Sequence, residues 1–473
     1  MNFINSINLK AVKIILSINS ILIILYSLFI YYFDEYLILG SISSQNIFFE
    51  YVFLKILLGI FFFISAVFIY KIKESNKWFL IIITSGIIAR LILIPAYPVV
   101  ENDFYRYLWD GAVTANGVNP YKYSPKEALE ENSESEVREV LNKLVKESGE
   151  IIHGINHPQI RTIYPPISQL IFALCYFIFP WKIWGLKVFF LLFDFAALFL
   201  FFKLLKKYDK PVIFIFLYWL NPIIIHEFYA GAHMDVLLVP FLLLILFFAI
   251  SNSNFPSSLF ISIAAGIKLW PVIFIPVIFR NLWQEKKKLL FYLFLTAAIM
   301  LIIFTPVFLT VFDRSLGFVV YAQSWTNNDA VFQILLIIVK QLREIFGIQS
   351  IGSFQLTRWL TGILFTIFLF FITRKKNRNS EDYFEKFLII TAVIFFISPT
   401  QFPWYFTWVI PFLVFRPMVS LLLYPVLLPL YQLNYLSPYF VYVQHIPILV
   451  LFLYELKTRK WDQLFNLTEV KLK

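Results

Sequence analysis

The chain reads as an all-α polytopic membrane protein, with about 12–14 transmembrane helices and a long extracytoplasmic first loop that carries amphipathic helices. Three observations predict this. Of the 473 residues, 60% are hydrophobic and 20% aromatic, with a mean hydropathy of +0.76, and lipid is the natural destination for that much apolar surface. The apolar residues are gathered into runs of spanning length. Short basic clusters separate the runs: Lys71/Lys73/Lys77, Lys203/Lys206/Lys207/Lys210, Arg280/Lys286/Lys287/Lys288, Arg374/Lys375/Lys376/Arg378 and Lys457/Arg459/Lys460. They read as cytoplasmic loops under the positive-inside rule and account for the net charge of +11.

Apolar runs of spanning length fall near 11–33, 51–70, 78–98, 184–202, 212–229, 233–250, 288–312, 355–373, 385–400, 403–416, 418–434 and 439–454. Two further runs read as broken or re-entrant: 163–180 opens with Pro165-Pro166, and 256–279 is interrupted by Gly266, Lys268 and Pro271. Lys10 and Lys13 precede the first run, which lacks a small-residue cleavage site, so it reads as a retained span starting in the cytoplasm. The third run then delivers Asp103 to the extracytoplasmic side. Residues 1–98 form N-terminal spans, 99–162 the extracytoplasmic loop, and 163–473 the rest of a single membrane domain.

The long polar interval 99–162 contains a helical apolar pattern at Leu129, Val137, Val140, Leu141, Leu144 and Val145, which predicts one or two amphipathic helices on the outer membrane face. A similar stripe over 330–346, with Phe332, Leu335, Leu336, Val339 and Leu342, predicts a second interfacial helix. No basic stripe sits on a soluble domain, so nucleic acid is not an expected partner. The single cysteine, Cys175, excludes an intramolecular disulfide framework.

Chemistry concentrates in Glu101-Asn102-Asp103-Phe104-Tyr105-Arg106-Tyr107-Leu108-Trp109-Asp110-Gly111. Glu101 and Asp103 are close enough for one to hold a substrate group or metal while the other acts as base, and Asp110 returns to the same helical face after two turns. A divalent cation held through these carboxylates is left open. The same residues also suit an N-cap at Asp103, before a helix starting at Phe104, with an aromatic belt of Tyr105, Tyr107 and Trp109.

Ionisable residues inside the apolar runs are Arg90, Asp194, His226, Glu227, His233, Asp235 and Lys268. Each costs roughly 2.5–3.5 kcal/mol at a helix centre, so each is expected to face a partner or a cavity. His226-Glu227 and His233-x-Asp235 bracket a helix junction and lack HExxH metal spacing; they suit phosphate binding or a polar lock between helices. Asp194 is expected to pair with Lys187. Trp404 and Tyr405, after Ser398-Pro399-Thr400-Gln401-Phe402-Pro403, read either as binding residues or as belt.

Five ordered blocks carry a resemblance. They are Asp103 to Gly111 with Asn116-Gly117-Val118-Asn119-Pro120-Tyr121-x-Tyr123-x-Pro125; Ile163-Tyr164-Pro165-Pro166; Asn221-Pro222 with Gly231-Ala232-His233-Met234-Asp235; Ala264-Ala265-Gly266-Ile267-Lys268-Leu269-Trp270-Pro271; and Ser398-Pro399-Thr400-x-x-Pro403-Trp404-Tyr405. Together they resemble bacterial integral-membrane mannosyltransferases of the GT-C glycosyltransferase superfamily, from about residue 78 to about 415. The resemblance implies a polyprenyl-phosphate-sugar donor, a lipid-linked or cell-envelope glycan acceptor, inversion at the anomeric carbon, and a base on the first extracytoplasmic loop. Glu101-x-Asp103 fits that loop motif, with Asp103 carried over as the base.

An inverting transfer needs a carboxylate to take the acceptor proton and positive charge or donors for the leaving phosphate. Arg106, His233, Lys268 and Arg161 are expected to meet the phosphate, with Tyr107, Tyr164, Asp235, Trp404 and Tyr405 around the substrate. The isoprenoid tail and surrounding lipids suit the aromatic-rich surface. A transporter or flippase of lipid-linked sugars is the competing expectation; it calls for polar residues at mid-membrane between repeated halves, and no such repeat is visible.

Overall fold

The computed structural model describes residues 8–38, 44–72, 76–130, 136–347 and 351–458; Lys73, Arg459 and Lys460 lie outside them. The described residues are helices and turns, with no strand among them beyond the isolated bridges Arg161–Leu316 and Asn327–Thr400. Helices of eight or more residues are α1 (Leu9–Phe33), α2 (Gln45–Phe68), α3 (Asn76–Leu93), α4 (Asp103–Ala115), α5 (Glu136–Ser148), α6 (Pro166–Ile178), α7 (Ile183–Lys207) and α8 (Val239–Ile250). They continue with α9 (Asn254–Ile267), α10 (Lys286–Ile303), α11 (Gly317–Ser324), α12 (Ala330–Ile345), α13 (Ser353–Thr373), α14 (Ser380–Ile397) and α15 (Phe440–Thr458).

Among the described residues, α1, α2, α3, α7, α13 and α15 are long and apolar enough to cross a membrane. The pair Val212–Trp219 and Pro222–Ala230, bent by 50°, makes a possible seventh span. This is a multi-pass membrane protein. Several other apolar runs are divided into short helical pieces because proline lacks an N–H and clashes with the preceding turn, so a helix restarts there. Pro222, Pro271, Pro276, Pro403, Pro411, Pro425 and Pro429 each stand in the first turn of such a piece. The run 256–279 breaks at Lys268, whose backbone is extended with φ −147° and ψ 136°.

One apolar core runs from Val12 to Phe452. α4 lies against α6 so closely that a Cβ at Gly111 would stand 2.6 Å from the Phe172 carbonyl oxygen, and Tyr107 stacks on Phe172 with ring centroids 4.9 Å apart. The amphipathic stripe predicted in 124–149 is helical in α5, but it faces protein. Leu141 and Leu144 bury against Trp109, Ala112 and Val113 of α4, so α5 braces the helix that begins with Asp103. In α12 the predicted stripe is divided: Phe332 and Val339 are buried and Leu335 and Leu336 half-buried, whereas Leu342 is exposed, as are Ile334, Ile337 and Ile338 off the stripe.

Asp194 does not pair with Lys187. Seven residues along one helix put the two about 10 Å apart on the axis, and each finds another partner. Arg90 Nε donates to Asp194 Oδ2 at 2.7 Å, and the guanidinium lies 3.6 Å from the Trp219 ring centroid. Tyr218 and Tyr229 hydroxyls donate to the same carboxylate at 2.6 and 2.8 Å. Lys187 Nζ donates to the carbonyls of Leu93 and Ala96 at 3.0 and 2.6 Å, where it fixes the turn that leads from α3 to Glu101. Asp194→Asn is therefore expected to leave Arg90 uncompensated and to lose roughly 3–5 kcal/mol. Thermal unfolding in detergent measures this, and the double variant Arg90→Met/Asp194→Leu should recover most of the loss.

Candidate functional site

Four interruptions of helix converge on one cavity of about 450 Å³: the turn before α4, the turn 226–238, the break after α9, and the proline-rich turn 398–408. Ten of the predicted site residues line it, namely Glu101, Asp103, Arg106, Tyr107, Arg161, Tyr164, Asp235, Lys268, Trp404 and Tyr405. Asp110 and His233 stand behind its wall.

The backbone is held in uncommon conformations where it meets the cavity. Val100 has φ +54°, Ala232 φ +57° and His157 φ +51°, positions that an L residue, and a β-branched one above all, adopts only under constraint. Hydrogen bonds supply the constraint at two of them. Val99 N–H donates to Ala230 O at 2.9 Å and Val100 N–H to Leu37 O at 2.8 Å. His226–Ala230 forms a wide π turn, closed by Gly231 N–H to His226 O and His233 N–H to Glu227 O, both 2.8 Å. These ties fix where Glu101, Asp103, His233 and Asp235 project.

Asp103 is the first residue of α4, with Asn102 as the preceding cap position; no side-chain capping bond forms. Asn102 Nδ2 instead donates a hydrogen bond to Asn156 Oδ1 at 2.6 Å, so the Asp103 carboxylate is left to face the cavity, 28% exposed. Burial raises its pKa to about 6; Asp235 adds to the rise, while Lys268 and hydrogen bonds from Tyr164 and Asn156 oppose it. Glu101 is pushed well above the usual carboxylate range by burial and by the Asp103 and Glu227 charges, with Lys55 opposing. Of these two neighbouring acids, Asp103 is the one available as a carboxylate near neutrality.

Asp110 serves Arg106. Its Oδ1 accepts from Arg106 Nε at 3.1 Å, and Gln169 Nε2 donates to Oδ2 at 3.2 Å; Arg106 also donates to the Ile160 carbonyl. Arg161, though it lines the cavity, is committed to Thr310, the Val311 carbonyl and Asp313 at 2.9, 2.7 and 2.7 Å, and so fastens the 160s loop to the 310s. Lys268 Nζ donates to Asp235 Oδ1 at 2.5 Å and lies 4.5 and 4.8 Å from the Tyr405 and Trp408 ring centroids. Trp408 Nε1 donates to the same carboxylate. Trp404 and Tyr405 are wall residues: Trp404 stacks on Phe402 at 4.2 Å and Tyr405 on Trp408 at 4.3 Å. Among the described residues no group of three or more His, Cys, Asp and Glu side chains could hold a metal ion; Glu101 and Asp103 offer two carboxylates without a third such donor.

Residues 161–284 match a mannosyltransferase family. Its model is that of the alpha-(1->6)-mannopyranosyltransferase N-terminal domain. No curated protein and no solved structure matches the chain. The matched segment contains Arg161, Tyr164, His233, Asp235 and Lys268, while Glu101, Asp103, Trp404 and Tyr405 reach the same cavity from outside it. Glycosyl transfer, with mannose as the sugar in general terms, is the class of activity this match supports.

Several wall residues were not anticipated from the sequence. Asn156 touches the acid, and Tyr321 and Trp325 form one face, with Tyr321 3.3 Å from the Tyr405 hydroxyl and Trp325 edge-on to His157. Nothing in their local pattern marks them: Tyr321 and Trp325 come from α11 and its exit, and Asn156 from the loop that follows α5. Trp408, four residues after Trp404, was the legible one. Lys268 was expected to meet the donor phosphate, and the structure gives it an internal carboxylate partner in Asp235 as well. Lys268→Met therefore strands a buried carboxylate and should lower the unfolding temperature, whereas Lys268→Met/Asp235→Asn should recover most of it. Thermal unfolding of the purified pair checks this.

Proposed function

We propose that the protein transfers mannose from a polyprenyl-phosphate-linked donor to a lipid-linked or cell-envelope glycan acceptor. The transfer inverts the anomeric carbon, with Asp103 as general base. The observation that carries the proposal is the shared cavity: a carboxylate with a pKa near neutrality and the Lys268–Asp235 pair face one aromatic-walled space. Its volume lies within the roughly 300–1,000 Å³ typical of small-molecule sites.

The chemistry follows from the residues. An acceptor hydroxyl at Asp103 gives its proton to the carboxylate as its oxygen forms a bond to C1. The C1–O bond to phosphate breaks on the opposite face, and the electron pair leaves with the phosphate. Lys268 has three donors, of which Asp235 occupies one, and Trp408 shares the Asp235 charge. The ammonium thus retains donors for the phosphate, and Arg106 supplies a second cation from α4. Tyr405 and Trp325 bring aromatic surface to the cavity for sugar C–H groups and the first prenyl unit, with Trp404 and Trp408 stacked behind as wall. Under the positive-inside rule, this cavity opens outside the cytoplasmic membrane.

Asp103→Asn keeps size and loses the ability to accept a proton; turnover should fall by about 10²–10⁴-fold with unchanged membrane abundance. Near-native turnover moves the base elsewhere. For the native protein kcat/KM should fall tenfold per pH unit below an acid limb near pH 6, because Asp103 is protonated below its raised pKa of about 6, while the phosphodiester donor stays ionised there. A flat profile from pH 5 to pH 7.5 contradicts the assignment. Sidedness is checked by labelling: in a background lacking Cys175, Lys146→Cys on α5 should react with a membrane-impermeant maleimide in intact cells and Lys376→Cys should not. The reverse pattern removes the extracytoplasmic site.

A further inference from the structure

His233 was expected at the leaving phosphate. The structure puts it elsewhere: fully buried, stacked behind Trp404 with ring centroids 3.8 Å apart and planes 17° from parallel, and absent from the cavity lining. Its two ring nitrogens face two carboxylates. Nδ1 stands 3.9 Å from Asp103 Oδ2, and Nε2 stands 3.7 Å from Glu227 Oε2. Among the described residues neither nitrogen has a hydrogen-bond partner, a state that buried imidazoles rarely keep. Both separations are within about an ångström of a hydrogen bond, the looseness found in catalytic pairs before substrate tightens them.

The line continues beyond Glu227. Its Oε1 is 3.8 Å from His226 Nε2, and His226 is held by Tyr26 through Nδ1 at 2.7 Å and by Tyr51 through Nε2 at 3.0 Å. Lys55 Nζ donates to the Tyr51 hydroxyl at 3.2 Å. Tyr26, Lys55 and Glu227 border a small void of about 20 Å³, about the room that one water molecule needs. Asp103 thus has cavity on one side and a chain of titratable groups on the other.

We propose that His233 is a positioning residue that couples Asp103 to Glu227 and carries away the proton Asp103 receives. The inference rests on the reading of Asp103 as base. In the resting state the neutral imidazole bears its proton on Nε2, towards Glu227, and presents the Nδ1 lone pair to Asp103. After transfer the Asp103 O–H bond breaks and Nδ1–H forms, while Nε2–H breaks and the Glu227 carboxylate gains the proton. The ring ends neutral in the other tautomer, Asp103 is again a carboxylate, and no other reactant is consumed. Trp404 fixes the ring plane, which makes the two nitrogens point at fixed partners. The groups facing this line are Glu101, Asp235 and Lys268 on the cavity side, and His226, Lys55, Tyr26 and Tyr51 behind.

The test uses the full chain in detergent, with ¹⁵N in the imidazoles of its five histidines. The His233 resonances are assigned by their loss in His233→Gln. The relay predicts a neutral ring protonated at Nε2, a change towards the Nδ1–H tautomer in Glu227→Gln, where Asp103 is the remaining carboxylate beside the ring, and retention of the Nε2–H tautomer in Asp103→Asn. An unchanged His233 tautomer in Glu227→Gln, or an Nδ1–H tautomer in the native protein, overturns it, whatever the protein's substrate. The kinetic arm uses polyprenyl-phosphate mannose: His233→Gln and Glu227→Gln should each lower kcat by about 10–100-fold, the scale of lost positioning partners, at unchanged donor KM and with the acid limb displaced. A loss confined to KM, or kcat within twofold of native, overturns it as well. If the native protein does not consume this donor, the proposed function fails, and the tautomer measurement still decides the relay.

Discussion

The Asp235 carboxylate is the contact on which the site depends. Lys268 reaches it from the break after α9, and Trp408 reaches it from the turn 398–408. Asp235 itself stands in the turn that follows the π-helical residues 226–230. Three segments that proline and glycine prevent from continuing as helix are thereby fastened at one point, inside a membrane protein where an unmatched charge is costly. Were the three breaks not tied together, the aromatic wall of Tyr405 and Trp408, over which Lys268 lies, would have no fixed relation to α4.

Charge matching then singles out Asp103. Around the cavity Arg106 is matched by Asp110, Arg161 by Asp313 and Lys268 by Asp235. Asp103 pairs with no lysine or arginine among the described residues, and His233 Nδ1 stands 3.9 Å from its Oδ2. Burial without a dedicated cation is what holds its pKa near 6 rather than in the usual carboxylate range. The positive φ angles at Val100 and Ala232, on the two strands of backbone that meet beside it, are further signs that local stability is given up to hold this geometry.

The sequence made much of this legible, for identifiable reasons. Lipid solubility and basic clusters are properties of composition, so the all-helical membrane class could be read directly. Lys268, Asp235 and His233 stood out because ionisable groups in apolar runs need partners. What one sequence cannot supply is distance between segments. Asp194 lies near Lys187 along the chain but meets Arg90 across helices; Arg161 looked free for phosphate and is occupied by Asp313. α5 looked like a membrane-surface helix because periodicity reports an apolar face without saying whether lipid or α4 covers it. Asn156, Tyr321 and Trp325 were silent, since a wall made from loops and short helices has no period to detect.

In the proposed transfer the donor phosphate lies at Lys268 with the sugar between it and Asp103. The direct measurement is the structure of the protein in a lipid nanodisc with a non-transferable polyprenyl-phosphate mannose analogue. The account predicts phosphate oxygens within hydrogen-bond reach of Lys268 Nζ, C1 turned towards Asp103, and the prenyl chain leaving along the aromatic wall. Donor density lodged outside the 450 Å³ cavity, or with its phosphate at Asp103 and its sugar remote from that carboxylate, contradicts it.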